Sequence, residues 1–252
     1  MRIASLVMAF AFTLGSPAFA QSSDAYKAGR AAADRGDYAT AVPKLKQACD
    51  GGDTWACTDL GVMYENGRGV TADLASAVSL YRRACDGGDA LGCKSLGYMY
   101  SNGRGVPRDY ARAFALYQQA CTGGEAVGCT NLGFLYGAGR GVPKDDAKAV
   151  ALYEQGCNGG NALGCSNAGN MYATGQGVAQ SYARAATFLQ RGCDGGEAGA
   201  CHNLAVLLES GQGVAKDVPR AIETYRKALT LNPSAELAGK IRARITALGG
   251  QP

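Results

Sequence analysis

Between residues 49 and 229 apolar positions recur at steps of three and four, and the whole arrangement returns every thirty-six residues. Cys57, Leu60, Gly61 and Tyr64 stand at i, i+3, i+4 and i+7, a spacing that puts them on one face of a helix. Their columns return as Leu96, Leu132, Ala168 and Leu204, as Gly97, Gly133, Gly169 and Ala205, and as Tyr100, Tyr136, Tyr172 and Leu208. A glycine pair follows in every unit, Gly67 and Gly69 in the first, always with valine behind it, and this pair ends the helix. A second helix is predicted to start at Asp73, Asp109, Asp145, Ser181 or Asp217, whose side-chain oxygens suit the unpaired amides of a first turn. Behind the cap, Ala77, Leu80, Tyr81 and Ala84 again keep helical spacing, and Cys85-Asp86-Gly87-Gly88 closes the unit.

One helix pair of this size cannot bury its apolar face alone, so neighbours must stack into a continuous core. The expected fold is all-α: an α/α solenoid of about six helix-turn-helix repeats, wound as a right-handed superhelix and stapled by disulfides. Residues 21–252 form a single unit, with a cap pair at about 24–49, thirty-six-residue repeats over about 53–229 and a capping helix at about 234–248. At that far end Leu229 and Leu237 stand where the pattern calls for cysteine.

Ten cysteines, at 49, 57, 85, 93, 121, 129, 157, 165, 193 and 201, alternate gaps of eight and twenty-eight. An even number at regular spacing points to bridges in an oxidising compartment. Within each gap of eight a Gly-Gly turn folds the chain back, so the expected pairs are Cys49–Cys57, Cys85–Cys93, Cys121–Cys129, Cys157–Cys165 and Cys193–Cys201. Two rivals stand beside this pairing: a link across the longer gap, such as Cys57 to Cys85, and a thiolate metal site. The chain has no Cys-x-x-Cys and a single histidine, His202, so neither a metal nor a cofactor is expected.

The first twenty residues read as a secretory signal: Arg2, an apolar run from Ile3 to Leu14, then Ala18-Phe19-Ala20 as a small-x-small cleavage site. The run is too short to span ~30 Å of hydrocarbon and no second one follows, so export to a periplasm or the exterior is expected, without membrane insertion. The formal charge is +4, with lysine and arginine scattered singly and no basic run, which removes nucleic acid from the candidate partners.

Cys-x7-Cys, the Leu-Gly-x-x-Tyr seam, the Gly-x-Gly-Val turn and the Ala-x-Ala helix together resemble the Sel-like repeat family, and in particular the secreted cysteine-rich proteins of Helicobacter. The resemblance runs from about Ala25 to Leu229 and implies a solenoid related to tetratricopeptide arrays. It also implies two alternative activities: penicillin binding with weak β-lactamase hydrolysis, and a metal- or haem-handling assembly role like that of a similar mitochondrial protein. No catalytic residue can be named for the first, because the chain lacks Ser-x-x-Lys, His-x-x-x-His and any clustered histidine.

Opposite the buried seam of each first helix lie positions 58, 59, 62, 65 and 66, expected along one open face. Column 62 varies as Val62, Tyr98, Phe134, Asn170 and Val206, and column 59 as Asp59, Ser95, Asn131, Asn167 and Asn203. An amide both donates and accepts, so a row of carboxamides can grip a peptide backbone without reading its side chains, as in tetratricopeptide grooves. Asn131, Asn167 and Asn203 are the candidate grip, with Tyr98 and Phe134 for an apolar side chain; His202 reads as a surface residue. The expected protein is a monomeric, exported scaffold that binds a protein or peptide of the cell envelope on its concave face.

Overall fold

The computed structural model describes residues 23–251. The expected signal segment, residues 1–20, lies outside them. Among the described residues there are thirteen α-helices and no strand. The pairs are α1 (Asp24–Asp34) with α2 (Tyr38–Asp50), α3 (Thr54–Asn66) with α4 (Leu74–Asp86), and α5 (Ala90–Asn102) with α6 (Tyr110–Thr122). They continue as α7 (Ala126–Ala138) with α8 (Asp146–Asn158), α9 (Ala162–Thr174) with α10 (Tyr182–Asp194), and α11 (Ala198–Ser210) with α12 (Val218–Thr230). A last helix, α13 (Ala235–Ala247), closes the solenoid.

The two glycines of each turn have different tasks. Gly67 follows α3 at φ 66° and Gly211 follows α11 at φ 74°, left-handed positions that end the helix and that a side chain would strain. The second glycine seats the unit on its predecessor. At Gly105 a Cβ would come within 2.7 Å of the Leu74 carbonyl oxygen, so the turn after α5 rests backbone to backbone on the start of α4. The second helices then begin at the expected caps: Asp73, Asp109, Asp145, Ser181 and Asp217 each accept an amide hydrogen from the first turn. Such a cap contributes about 1 kcal/mol.

The core repeats with the chain. Ala77, Ala113, Ala149, Ala185 and Ala221 are fully buried where the helices of a pair cross. The Tyr81 ring fills the notch left by Gly61, where a Cβ would meet ring carbon at 2.6 Å, and Tyr117 does the same at Gly97. The Cys57-Leu60-Gly61-Tyr64 seam is joined by a column it omits: Met63, Met99, Leu135, Met171 and Leu207 are all buried. A first helix such as α5 packs against both α4 and α6, so its buried arc is wider than the stripe of a helix with one neighbour.

Five disulfides join Cys49–Cys57, Cys85–Cys93, Cys121–Cys129, Cys157–Cys165 and Cys193–Cys201, with Cα atoms 4.5–4.7 Å apart. Each ties a second helix to the first helix of the following unit, and no cysteine among the described residues is free. At the α12–α13 joint Leu229 and Leu237 pack against the core instead, with Ile241 and Ile245 of α13 fully buried beside them.

One expectation fails at position 58. Thr58 is 1% exposed, and its Oγ1 donates to Oδ2 of Asp89, the residue capping α5, at 2.5 Å. Thr130 likewise bonds Oδ1 of Asn161, the cap of α9, at 2.9 Å. Column 58 therefore belongs to the joint between units, because the start of the next first helix lies directly over it.

Candidate functional site

First helices lie against one another, α1 on α3, α3 on α5, α7 on α9 and α9 on α11, and at the looser α5–α7 step Tyr98, Asn131 and Phe134 line one shared cavity. Columns 59 and 62, one helical turn apart, point out of the face these helices form. Tyr98 of α5 and Phe134 of α7 are 44% and 47% exposed, large rings left in solvent at a column where the framework fixes the backbone.

Three adjoining cavities run along this face. A central one of about 400 Å³ is lined by Tyr98, Asn131 and Phe134 together with Tyr110, Arg108 and Arg140. Tyr98 and Asn131 also line a second of about 340 Å³, which reaches Val62, Glu65, Lys94 and Val127. Phe134 also lines a third of about 280 Å³, with Asn167, Asn170, Met171 and Gln176. Four of the five candidate residues are thus brought onto one track. Asn203 is not among them: its Nδ2 donates to Oδ1 of Asn170 at 2.7 Å, a bond between units. The amides of Asn131 and Asn167 make no side-chain hydrogen bond among the described residues and keep both functions open.

Column 59 closes at its other end on Asp59, which Arg30 holds with two bonds of 3.0 and 3.2 Å. Burial pushes the Asp59 carboxyl above the usual carboxylate range, against the pull of Arg30. Glu65 is engaged too, accepting from the Tyr81 hydroxyl and pairing with Arg104, each at 2.6 Å. Burial, reinforced by Glu65, holds the Tyr81 hydroxyl protonated far above the ordinary tyrosine range. Deep in the central cavity the Tyr117 hydroxyl, raised by burial, lies 3.1 Å from Ser101 Oγ.

His202 is half-buried rather than a surface residue. Its ring lies 5.6 Å from that of Tyr225 and its Nδ1 is buried without a partner among the described residues; burial, then the nearby Lys240, lowers its pKa below 6.5. No group of three or more histidine, cysteine or acidic side chains among the described residues is placed to hold a metal.

Sequence reasoning missed two parts of the face. Column 55 presents Trp55, Leu91 and Leu163 to solvent, a stripe one helical turn before the carboxamides. Its signal was legible as large apolar residues at a position the seam does not use. The Arg140 guanidinium lies over Phe134 of its own unit at 5.2 Å and over Tyr110 at 5.4 Å, and the second contact joins residues thirty positions apart only through stacking of units.

The Sel1 repeat model matches residues 56–89, 90–125, 126–161, 162–197 and 198–233. The chain belongs to the Sel1 repeat family. Sel1 repeats are protein-interaction modules, and the helical solenoid, the repeats and the bridges between them all agree with that membership. The chain is similar to a protective antigen of uropathogenic Escherichia coli that displays the same repeat fold: 34% identity, 82% of this chain, TM-score 0.74. It spans 45% of that antigen's length. A Sel1 repeat protein of Oxalobacter formigenes is 24% identical over 89% of this chain and 92% of its own, with a TM-score of 0.78. Cysteine-rich protein B of Helicobacter pylori is 31% identical over 48% of this chain and 92% of its own, with a TM-score of 0.39. No curated protein matches the chain.

Proposed function

We propose that this Sel1 repeat protein is an exported scaffold that captures an extended segment of a partner protein along the face of its first helices. The observation that carries the reading is the track of three cavities, walled by Tyr98 and Phe134 and floored by the unbonded amides of Asn131 and Asn167. We take the face of the first helices as the inner, concave side of the solenoid, a reading supported by the close approach of α3 to α5 and of α9 to α11. An extended strand leaves its amides and carbonyls unpaired at alternating positions, and a carboxamide can bond both kinds. Five bridges keep the groove preorganised, which lowers the ordering cost of binding. The disulfides support an oxidising compartment, and the amino-terminal signal supports export to it; the chain acts as a monomer.

Site-specific photocrosslinking tests this. A benzophenone amino acid at position 98 or 134 is expected to capture one and the same envelope protein in the living cell, while the same group at position 115, on α6, captures none. Equal capture from all three positions, or capture of nothing from 98 and 134, would remove the groove as the binding face.

A further inference from the structure

The central cavity differs from its neighbours in charge. Arg108 and Arg140 both line it, and among the described residues neither guanidinium has a carboxylate within ion-pair distance. The nearby Arg104 is already neutralised by Glu65. Among the described residues no acidic side chain lines the cavity. Arg140 lies over the rings of Phe134 and Tyr110, and Arg108 lies 5.5 Å from the same Tyr110 ring, so aromatic contact fixes both cations while leaving their N–H edges unsatisfied. A planar guanidinium held by its faces presents a fork that matches a carboxylate. The flanking cavities are unlike this one: among the described residues the Phe134–Asn167 side has no charged residue, and the Val62–Asn131 side holds Glu65, paired with Arg104, and the single ammonium of Lys94, which lacks the planar fork.

We infer that the central cavity is a subsite for an acidic side chain, Asp or Glu, of an extended peptide whose neighbouring apolar side chain enters the cavity between Phe134 and Met171. This rests on the peptide-binding reading and specifies its ligand. The anion belongs to a side chain rather than to a chain terminus because the track continues past the cavity on both sides, through Tyr98 and Asn131 in one direction and Phe134 in the other. The equivalent column reads Arg68, Arg104, Arg140, Gln176 and Gln212, and of its three arginines only Arg140 lines the central cavity.

The probe is an array of synthetic nonapeptides, acetylated and amidated, with every residue type at the central position and an apolar residue two places to either side. Binding to the oxidised full-length protein is measured by fluorescence anisotropy. Peptides with central Glu or Asp should bind about tenfold or more tightly than their Gln or Asn counterparts, the worth of one charge-assisted bond, and should weaken as salt is raised. Arg140→Gln, which copies Gln176, should abolish that preference without altering the thermal midpoint, whereas Arg68→Gln should leave it intact. Equal binding of Glu and Gln peptides, a preference that survives Arg140→Gln, or binding only of peptides with a free terminal carboxylate would overturn the inference while leaving peptide capture standing. Failure of every peptide to bind the wild-type protein would overturn both.

Discussion

Removing the central bridge by the double substitution Cys121→Ala and Cys129→Ala tests whether the sulfurs carry the stability of the rod. The loop they close holds about nine residues, and chain-entropy arithmetic for that length gives about 2.6 kcal/mol. Both sulfurs are buried, and losing two groups of roughly methylene size adds about 0.8 kcal/mol each, for a total of about 4 kcal/mol. For a chain of this length that corresponds to a fall of about 8–16 °C in Tm. Urea unfolding followed by far-ultraviolet circular dichroism gives the free energy, and hydrogen exchange gives its location. Amides of α6 and α7 should lose protection first, while α1 to α3 keep theirs, because each unit contacts only its neighbours. A loss below about 1 kcal/mol, or one spread evenly over all thirteen helices, would refute the assignment of stability to the individual joints.

Other outcomes follow from single contacts. Gly97→Ala drives a Cβ to 2.8 Å from the Tyr117 ring and should cost about 1–3 kcal/mol in a chemical melt, although Ala205 occupies the equivalent position in the sixth pair. Thr58→Val leaves the buried Asp89 carboxylate without its 2.5 Å donor and should cost about 1–3 kcal/mol, whereas Thr58→Ser should be nearly neutral by the same melt. The lowered pKa of His202 means that the unfolded chain takes up a proton first, so stability should fall as pH drops from about 6.5 toward the native value; His202→Ser, copying Ser166, should flatten that slope in a series of melts against pH. Asn167→Ala should leave Tm unchanged yet weaken peptide capture in the anisotropy assay, since its amide makes no side-chain bond among the described residues, and a drop of several degrees would make it structural instead.

The framework was legible because each of its parts repeats. Five copies of one cysteine gap and five of one cap column state the same turn independently, and the Gly-Gly between the cysteines supplies the reversal that brings their Cα atoms together. The face was harder to read. Position 58 looked open from the periodicity of its own helix, yet Thr58 is covered by the cap of the next unit, an element thirty-one residues away that no local pattern contains. Asn131, Asn167 and Asn203 are identical in sequence and differ in structure because Asn170 happens to face Asn203 across the joint. Likewise Arg140 is one scattered cation in the sequence, and its contact with Tyr110, added to that with Phe134 of its own unit, exists only once two units are superposed.

Each disulfide links a cysteine to the very next one along the chain. An oxidant that seals thiols in the order they emerge from a ribosome or a translocation channel therefore writes the native pattern on its first pass, with no shuffling to undo. Loss or gain of a whole thirty-six-residue segment would preserve that property, since the cysteine upstream of the cut meets a new downstream neighbour at the same distance. A lineage of such chains can change its reach along a partner while its chemistry of assembly stays constant.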